Sequence, residues 1–519
     1  MFGPSYHLIY TPYFTICTTC LYIFANISLP FQHSTFSHLH QFGPLYRLLS
    51  RFHNPFYISV FPIFQNLYLT MASFIFYHLL FHLLILFLLV TNSEAQPNKQ
   101  KRSSLVFPIR KDSRTLHYYT TLKVSTEDNH VKVVMDLSGQ FTWFNCDIYN
   151  LSTYRPIICG SKKCTSAKSE GCMLGCTECK SCNFPSKPGC TNNTCSIDSY
   201  NPFTNYLSDQ GLGEDTFFAD STNGLTISLN HKSPRPFQFS CANPIQLRKL
   251  PAGTKGMTGL ANYTISLHTQ LSALYELPHK FALCMPSTTN KIPGQMFIGG
   301  GPYIFPPYSR DIAEELISTP LVINRQSTAP LYALGEPSKE YFIDVKSIAV
   351  DGKRVVDFNS SLLSINEVGD GGTKFTSIFP YTYLETSIYK ALVSDFTKAA
   401  ALRKMKTVAS VAPFGACFSL KSIAKSQTGP VVPLIDLMLP DNQQWRFYGG
   451  NSMVSVNEEV LCLAFVDAGY KSNPKTSIGI GGYQLENYLI EFDLDSSNVR
   501  ISPSLLLVNT TCSQSRLMH

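Results

Sequence analysis

Acidic residues and lysine are missing from the first 70 positions. That stretch has no Asp, Glu or Lys, only Arg47 and Arg51 as strong bases, and five His among many Phe, Tyr and Leu. No apolar run in it reaches the ~20 residues of a membrane helix before Pro, His or Arg interrupts it. Neither a strand alternation nor a helical period persists, so residues 1–70 read as an upstream extension outside the fold. Charge is sparse throughout. Only 15% of the 519 residues are Asp, Glu, Lys or Arg, and the net +7 is not gathered into a basic arm. That pattern counts against nucleic-acid binding. Neither His-Glu-x-x-His nor Gly-x-Ser-x-Gly occurs, which removes the zinc-protease and serine-hydrolase signatures. The histidines beyond residue 95 (His117, His130, His231, His268, His279, His519) are scattered. No metal and no cofactor is expected.

What is present is globular. Hydrophobic residues make up 44%, with 30 Gly and 32 Pro but no collagen period. From Met71 the character changes. Leu79–Val90 is apolar apart from His82, and Ser93 and Ala95 supply the small residues of a cleavage site. Residues 71–95 read as a secretory signal peptide cut after Ala95, leaving no membrane association once it is removed. Fourteen of the sixteen cysteines follow: Cys146, Cys159, Cys164, Cys172, Cys176, Cys179, Cys182, Cys190, Cys195, Cys241, Cys284, Cys417, Cys462 and Cys512. An even number in an exported chain reads as disulfides, although the spacing does not give the pairing. Cys176-x-x-Cys179-x-x-Cys182 has metal-like spacing, but it lies in a cysteine-rich insertion, 146–195, where disulfides are the better reading. Asn-x-Ser/Thr acceptors stand at Asn150, Asn192, Asn262, Asn359 and Asn509, as in a secreted glycoprotein.

Short alternating, β-branched and aromatic runs dominate, among them Tyr118–Val124, Val131–Met135, Tyr341–Val350 and Leu489–Leu494. Turn residues separate them, so the fold is mostly antiparallel β. Helices are expected at Thr386–Arg403 and, shorter, at Leu267–Leu277. Ile317–Ser338, with Pro320, Pro330 and Pro337, reads as an irregular connection between two β-rich halves. Each half has an apolar strand entering a turn (Val133–Gly139, Gly371–Phe379) and a later glycine-rich segment (Lys255–Leu260, Ser477–Gly482).

The turns carry the chemistry. Val133-Val-Met-Asp136-Leu-Ser-Gly-Gln-Phe-Thr-Trp143 resembles the first active-site loop of pepsin-like aspartic proteases. Gly371-Gly-Thr-Lys-Phe-Thr376-Ser-Ile-Phe-Pro-Tyr-Thr-Tyr383-Leu384 resembles the second, with Thr376 at the position of the second aspartate. That chemistry needs two carboxyls about 3 Å apart sharing one proton. Asp136 beside Thr376 would titrate as an ordinary carboxylate. Leu137 removes a bracing hydroxyl, Ser138 and Ile378 replace turn glycines, and no Tyr-Gly-x-Gly flap motif occurs around Asn201–Gly213. The catalytic site is therefore not intact, and Asp136 is expected to be a buried, hydrogen-bonded loop residue.

Further motifs narrow the resemblance. Leu105-Val-Phe-Pro-Ile-Arg-Lys-Asp112, Pro188-Gly-Cys-Thr-Asn-Asn-Thr-Cys195, Val408-Ala-Ser-Val-Ala-Pro-Phe-Gly-Ala-Cys417 and Gly481-Gly-Tyr-Gln-Leu-Glu486 look like the plant basic 7S globulin and extracellular dermal glycoprotein family, in order from Ser104 to Ser513. The family includes xylanase and xyloglucan-endoglucanase inhibitors. The resemblance implies a bilobal, disulfide-rich pepsin-like fold with lobes 96–318 and 319–519, secreted to the apoplast or cell wall, without catalysis. It also implies inhibition of microbial cell-wall glycoside hydrolases in plant defence. In family inhibitors an Arg or His from each of two C-lobe loops enters the hydrolase site, and the matching positions are Arg325 and Arg403, with Lys404 and Lys406 as supporting charge. A guanidinium suits the paired carboxylates of a glycosidase. A basic cluster at a helix end also simply complements the macrodipole. Two other readings stay open: a storage or carbohydrate- or peptide-binding globulin, and a residual acid protease. The family usually carries twelve cysteines, so the surplus in Cys172–Cys182 leaves pairing there undecided.

Overall fold

The computed structural model describes residues 77–85, 104–169, 171–174, 187–228, 233–289, 292–327, 336–469 and 475–513. The chain divides into two compact units, Met1–Gln100 and Lys101–His519. Of the first, only 77–85 are described, as a largely exposed helix. The extension 1–70 and the cleavage position Ala95 lie outside the described residues. No described helix is long and apolar enough to cross a membrane.

The second unit is β-rich, and its central sheet draws on both ends of the sequence. Antiparallel strands follow in the order Ser104–Lys111, Gly294–Ile298, Lys280–Cys284, Leu489–Asp493, Asn498–Ile501 and Ile317–Val322. Lys280–Cys284 shows why this sheet is internal. Phe281 and Leu283 enter one apolar cluster, whereas Ala282 and Cys284 enter another with Phe297, Tyr303 and Phe305. Successive side chains point to opposite faces, so a strand covered on both faces is apolar at every position. Tyr118–Val124 is the opposite case, with Tyr118, Thr120, Leu122 and Val124 buried in alternation. The span 317–338, expected to be irregular, opens instead with the strand Ile317–Val322. Its Pro320 lies opposite Asn498, and the onward pairing of this strand with Phe342–Ile343 begins only at Leu321, so a missing N–H at Pro320 is tolerated.

The main helix runs Thr386–Leu402, one residue short of the expected Arg403, which caps it. Ile388, Leu392, Phe396 and Ala400 recur every fourth residue on its buried face. The Glu385 carboxylate accepts from the Ser387 and Ile388 amides, satisfying orphan donors of the first turn. The second helix stops at Leu274 rather than Leu277. Glu276 turns left-handed (φ 54°), and Leu277 precedes a proline, which disfavours helical geometry.

Each half folds its glycine-rich segment onto its turn-forming strand. Gly256–Gly259 lies parallel to His130–Asp136, placing Gly259 beside Asp136, and antiparallel to Trp143–Phe144. Ile478–Ile480 lies parallel to Thr373–Phe375 and antiparallel to Thr382–Leu384. These glycines are sterically required. A Cβ at Gly256 would stand 2.0 Å from the Trp143 carbonyl oxygen, and one at Gly479 would stand 2.1 Å from the Tyr383 ring. The faint likeness of the two halves in sequence is thus a repeated backbone arrangement, as a pepsin-like fold requires.

Disulfides join Cys146–Cys241, Cys159–Cys172, Cys164–Cys195, Cys284–Cys512 and Cys417–Cys462. Cys190 is also disulfide-bonded. Cys176, Cys179 and Cys182 lie outside the described residues.

Candidate functional site

The two turns meet at a cavity of about 270 Å³. Asp136, Ser138 and Gly139 line it from the first turn, and Lys374, Thr376 and Phe379 from the second. The expected flap motif is missing, yet a hairpin stands in that place. Asn192–Asn201 pairs with Tyr206–Phe218, and its Asp198 and Tyr200 line the same cavity.

Asp136 ends its strand at the cavity floor, only 6% exposed. Its Oδ1 accepts from the Ser138 amide at 2.9 Å, so the expectation of a buried, hydrogen-bonded residue holds. The expectation of ordinary titration does not. Burial, followed by the turn amide that opposes it and the neighbouring Glu340 charge that adds to it, leaves the carboxyl pushed up to about 6. An unfolded Asp titrates near 3.9. The native state therefore holds the extra proton between about pH 4 and 6. This contribution to stability is full below about pH 4 and is lost as pH rises through 6. Asp136→Asn keeps an acceptor for the Ser138 amide and removes the titration. It is expected to unfold at higher urea than the parent at pH 7.5, by about 1–3 kcal/mol, with the gap closing at pH 4. A gap that is the same at both pH values would refute this assignment.

Beside Asp136 lies an ion pair that sequence reading did not single out. Lys374 Nζ stands 2.7 Å from Glu340 Oε1, with side-chain exposures of 13% and 2%. The Ser138 hydroxyl donates to the same Glu340 oxygen at 2.7 Å, joining positions 202 apart in sequence. Burial alone would raise the Glu340 carboxyl. Lys374 and the two serine hydroxyls, Ser138 and Ser338, outweigh it and hold Glu340 below its ordinary value. Burial works against the Lys374 ammonium as well, but Glu340 holds it above its ordinary value. Glu340 is thus a fixed anion and a poor proton donor to a reacting group.

Across the cavity Thr376 is 1% exposed, and its amide donates to the Ile480 carbonyl. The brace expected to vanish with Leu137 is half retained. Ser377 donates its hydroxyl to the Met135 carbonyl at 2.7 Å and accepts from the Leu137 amide at 3.0 Å. One hydroxyl thereby holds the two turns together where the first-turn side chain is aliphatic.

The basic loop residues lie elsewhere on the chain. Arg325 is exposed next to Ile323, itself 72% exposed. The buried Asn324 between them fixes the loop, donating to the Gly369 carbonyl at 2.8 Å and accepting from the Gln326 amide at 3.1 Å. Residues 328–335 of this segment lie outside the described residues. Arg403 is already engaged: its Nε and Nη2 reach Asp351 at 3.0 and 2.9 Å, as a bidentate pair. Lys404 follows in the left-handed region (φ 58°), and Lys404 and Lys406 are exposed. All five acceptor asparagines, Asn150, Asn192, Asn262, Asn359 and Asn509, are exposed.

Comparisons with known proteins agree with this architecture. The family model described as xylanase inhibitor N-terminal matches residues 118–300, and that described as xylanase inhibitor C-terminal matches 340–503. A Nicotiana benthamiana protein named probable aspartic proteinase GIP2 is 45% identical over 433 residues, 83% of this chain and 96% of its own length. The crystal structure of edgp superposes with a TM-score of 0.75 at 42% identity, covering 81% of this chain and 99% of that one. Basic 7S globulin from soybean superposes with a TM-score of 0.66 at 31% identity, covering 80% and 98%.

Proposed function

The chain belongs to the xylanase-inhibitor family of basic 7S globulin and related non-catalytic pepsin-like proteins, and from that premise we propose that it is a secreted inhibitor of microbial cell-wall glycoside hydrolases, of the xylanase or xyloglucan-endoglucanase class. The observation that carries this reading is the Ile323–Arg325 loop. It presents an apolar and a guanidinium side chain outward on a backbone fixed by Asn324. A rigid loop loses little freedom on binding, and an Arg with an apolar neighbour makes an interface anchor. Its counterpart in the hydrolase would be the carboxylate pair of the active cleft. Arg403 contributes less in this reading, because it must exchange Asp351 for a partner's carboxylate. The replacement of the second catalytic aspartate by Thr376 and the fixed charge state of Glu340 argue against proteolysis. The exposed asparagines are glycosylation sites in the same reading.

The test is an inhibition titration of Gln96–His519, made in a secretory host, against fungal xylanases and xyloglucan endoglucanases. Saturable inhibition of one class at nanomolar protein is expected. Arg325→Ala is expected to weaken it about 10- to 100-fold, and Arg403→Ala by a smaller factor. Flat hydrolase activity at micromolar protein would instead favour a storage or ligand-binding globulin. Casein cleavage at pH 3–5 would revive the protease reading.

A further inference from the structure

Two acidic positions in and over the central cavity form no ion pair of their own among the described residues. At the floor, no ion pair reaches the Asp136 carboxylate among the described residues, and the nearby Lys374 is committed to Glu340 at 2.7 Å. That pair is neutral as a unit, so Asp136 sets the charge of the floor. Over the cavity, Asp198 of the hairpin stands directly opposite Asp209. Like charges at opposed positions destabilise a strand pair unless a cation lies between or beside them. Opposed residues share a face of the hairpin, and Asp198 lines the cavity, so the two acidic groups are on its side. The lining between them is mixed: Phe141, Trp143, Met257 and Phe379 supply apolar and aromatic surface beside the polar Gln140 and Thr376. Phe379 is 46% exposed, at the open side.

We infer that this cavity is a binding site for an organic cation with an aliphatic stem, an alkyl amine or alkyl guanidine, with its charged head on Asp136 and its stem against the aromatic walls. A cavity of about 270 Å³ has room for a short alkyl stem with its charged head. Apolar walls shed water readily, which strengthens a charge-assisted hydrogen bond at the buried carboxylate. The aromatic faces attract the cation as it enters. The Asp198–Asp209 pair draws such a ligand to the mouth and receives the second charge of a diamine. Two sources share this chemistry: a free polyamine, or a Lys or Arg side chain of an extended peptide. This inference is independent of hydrolase inhibition, which uses other surfaces.

Calorimetric titration of the purified protein at pH 7.5 tests it, with agmatine, putrescine and the capped tripeptide Ac-Ala-Arg-Ala-NH2 as probes. Saturable 1:1 binding of at least one probe is expected. Asp136→Asn is expected to weaken it at least about tenfold, and Asp198→Asn several-fold. Asp395→Asn, which removes one charge on the helix Thr386–Leu402, is expected to leave it unchanged. Stronger binding of agmatine or putrescine assigns the site to free amines, and stronger binding of the tripeptide assigns it to a polypeptide. Absence of saturation by all three probes at 10 mM, about the weakest affinity a built site would show, overturns the proposal. So does binding that Asp136→Asn leaves unaltered while urea denaturation shows that variant to be folded.

Discussion

Lys374→Met is expected to lower the unfolding free energy by about 3–5 kcal/mol at pH 7.5, because it strands Glu340 as an uncompensated buried charge. The Glu340 side chain is 2% exposed, so water cannot replace the lost ammonium. The hydroxyls of Ser138 and Ser338 remain as donors, but hydroxyls do not neutralise a full charge. Removing both charges is different. Lys374→Met with Glu340→Gln is expected to recover most of the loss, since replacing a buried pair by groups of similar volume is often near neutral. The pH dependence has a definite sign. Glu340 is held below its ordinary value, so its contribution is present above the unfolded carboxyl pKa of about 4.3 and is lost as pH falls through the native value. Without Lys374 the carboxylate takes up a proton on acidification, and the deficit of the single variant shrinks towards pH 4. Urea denaturation with intact disulfides at pH 7.5 and pH 4 measures both effects. A single-variant loss below about 1 kcal/mol at pH 7.5, or a double variant no better than the single, would show that the pair is already solvated and of little consequence.

That ion pair also marks where the sequence stops being legible. Thr386–Leu402 could be read because its buried face recurs every fourth residue and its capping Glu385 is adjacent in sequence. Asp136 could be read because the residues around it in the turn are local. Glu340 and Lys374 are 34 positions apart and join Ser138 from 202 positions away. Nothing in a strand pattern says that a Lys in Thr373–Phe375 points inward, and its usual place is a solvated face. The same limit hid the raised titration of Asp136, whose first cause is burial. It also hid the engagement of Arg403 by Asp351, which is 52 positions away. Ser377 was visible as a hydroxyl residue, but only its contacts with Met135 and Leu137 show that it keeps the two turns braced. Local periodicity carries element type and the position of the turns. The charge state of the cavity depends on contacts between distant segments.

The other large effect belongs to the link between the central sheet and the end of the chain. Cys284 closes the strand Lys280–Cys284, and its partner Cys512 lies 228 positions on. Both are fully buried, in the cluster with Ala282, Phe297 and Leu505. In the chain-entropy account, closing a loop of that length removes about 5 kcal/mol of freedom from the unfolded state, against about 4 kcal/mol for the 45-residue Cys417–Cys462 link. Native contacts act in the same direction. Leu489–Asp493 pairs with Lys280–Cys284 and Asn498–Ile501 pairs with Ile317–Val322, so the C-terminal segment bridges two strands from well upstream in the chain. Cys284→Ala with Cys512→Ala is therefore expected to cost about 4–5 kcal/mol and to exceed the loss from Cys417→Ala with Cys462→Ala by about 1 kcal/mol. Paired urea titrations of the two double variants give the comparison. Equal losses would mean that unfolded-chain entropy is not what separates the two links. A loss under 1 kcal/mol for Cys284–Cys512 would mean that strand pairing alone secures the C-terminal segment.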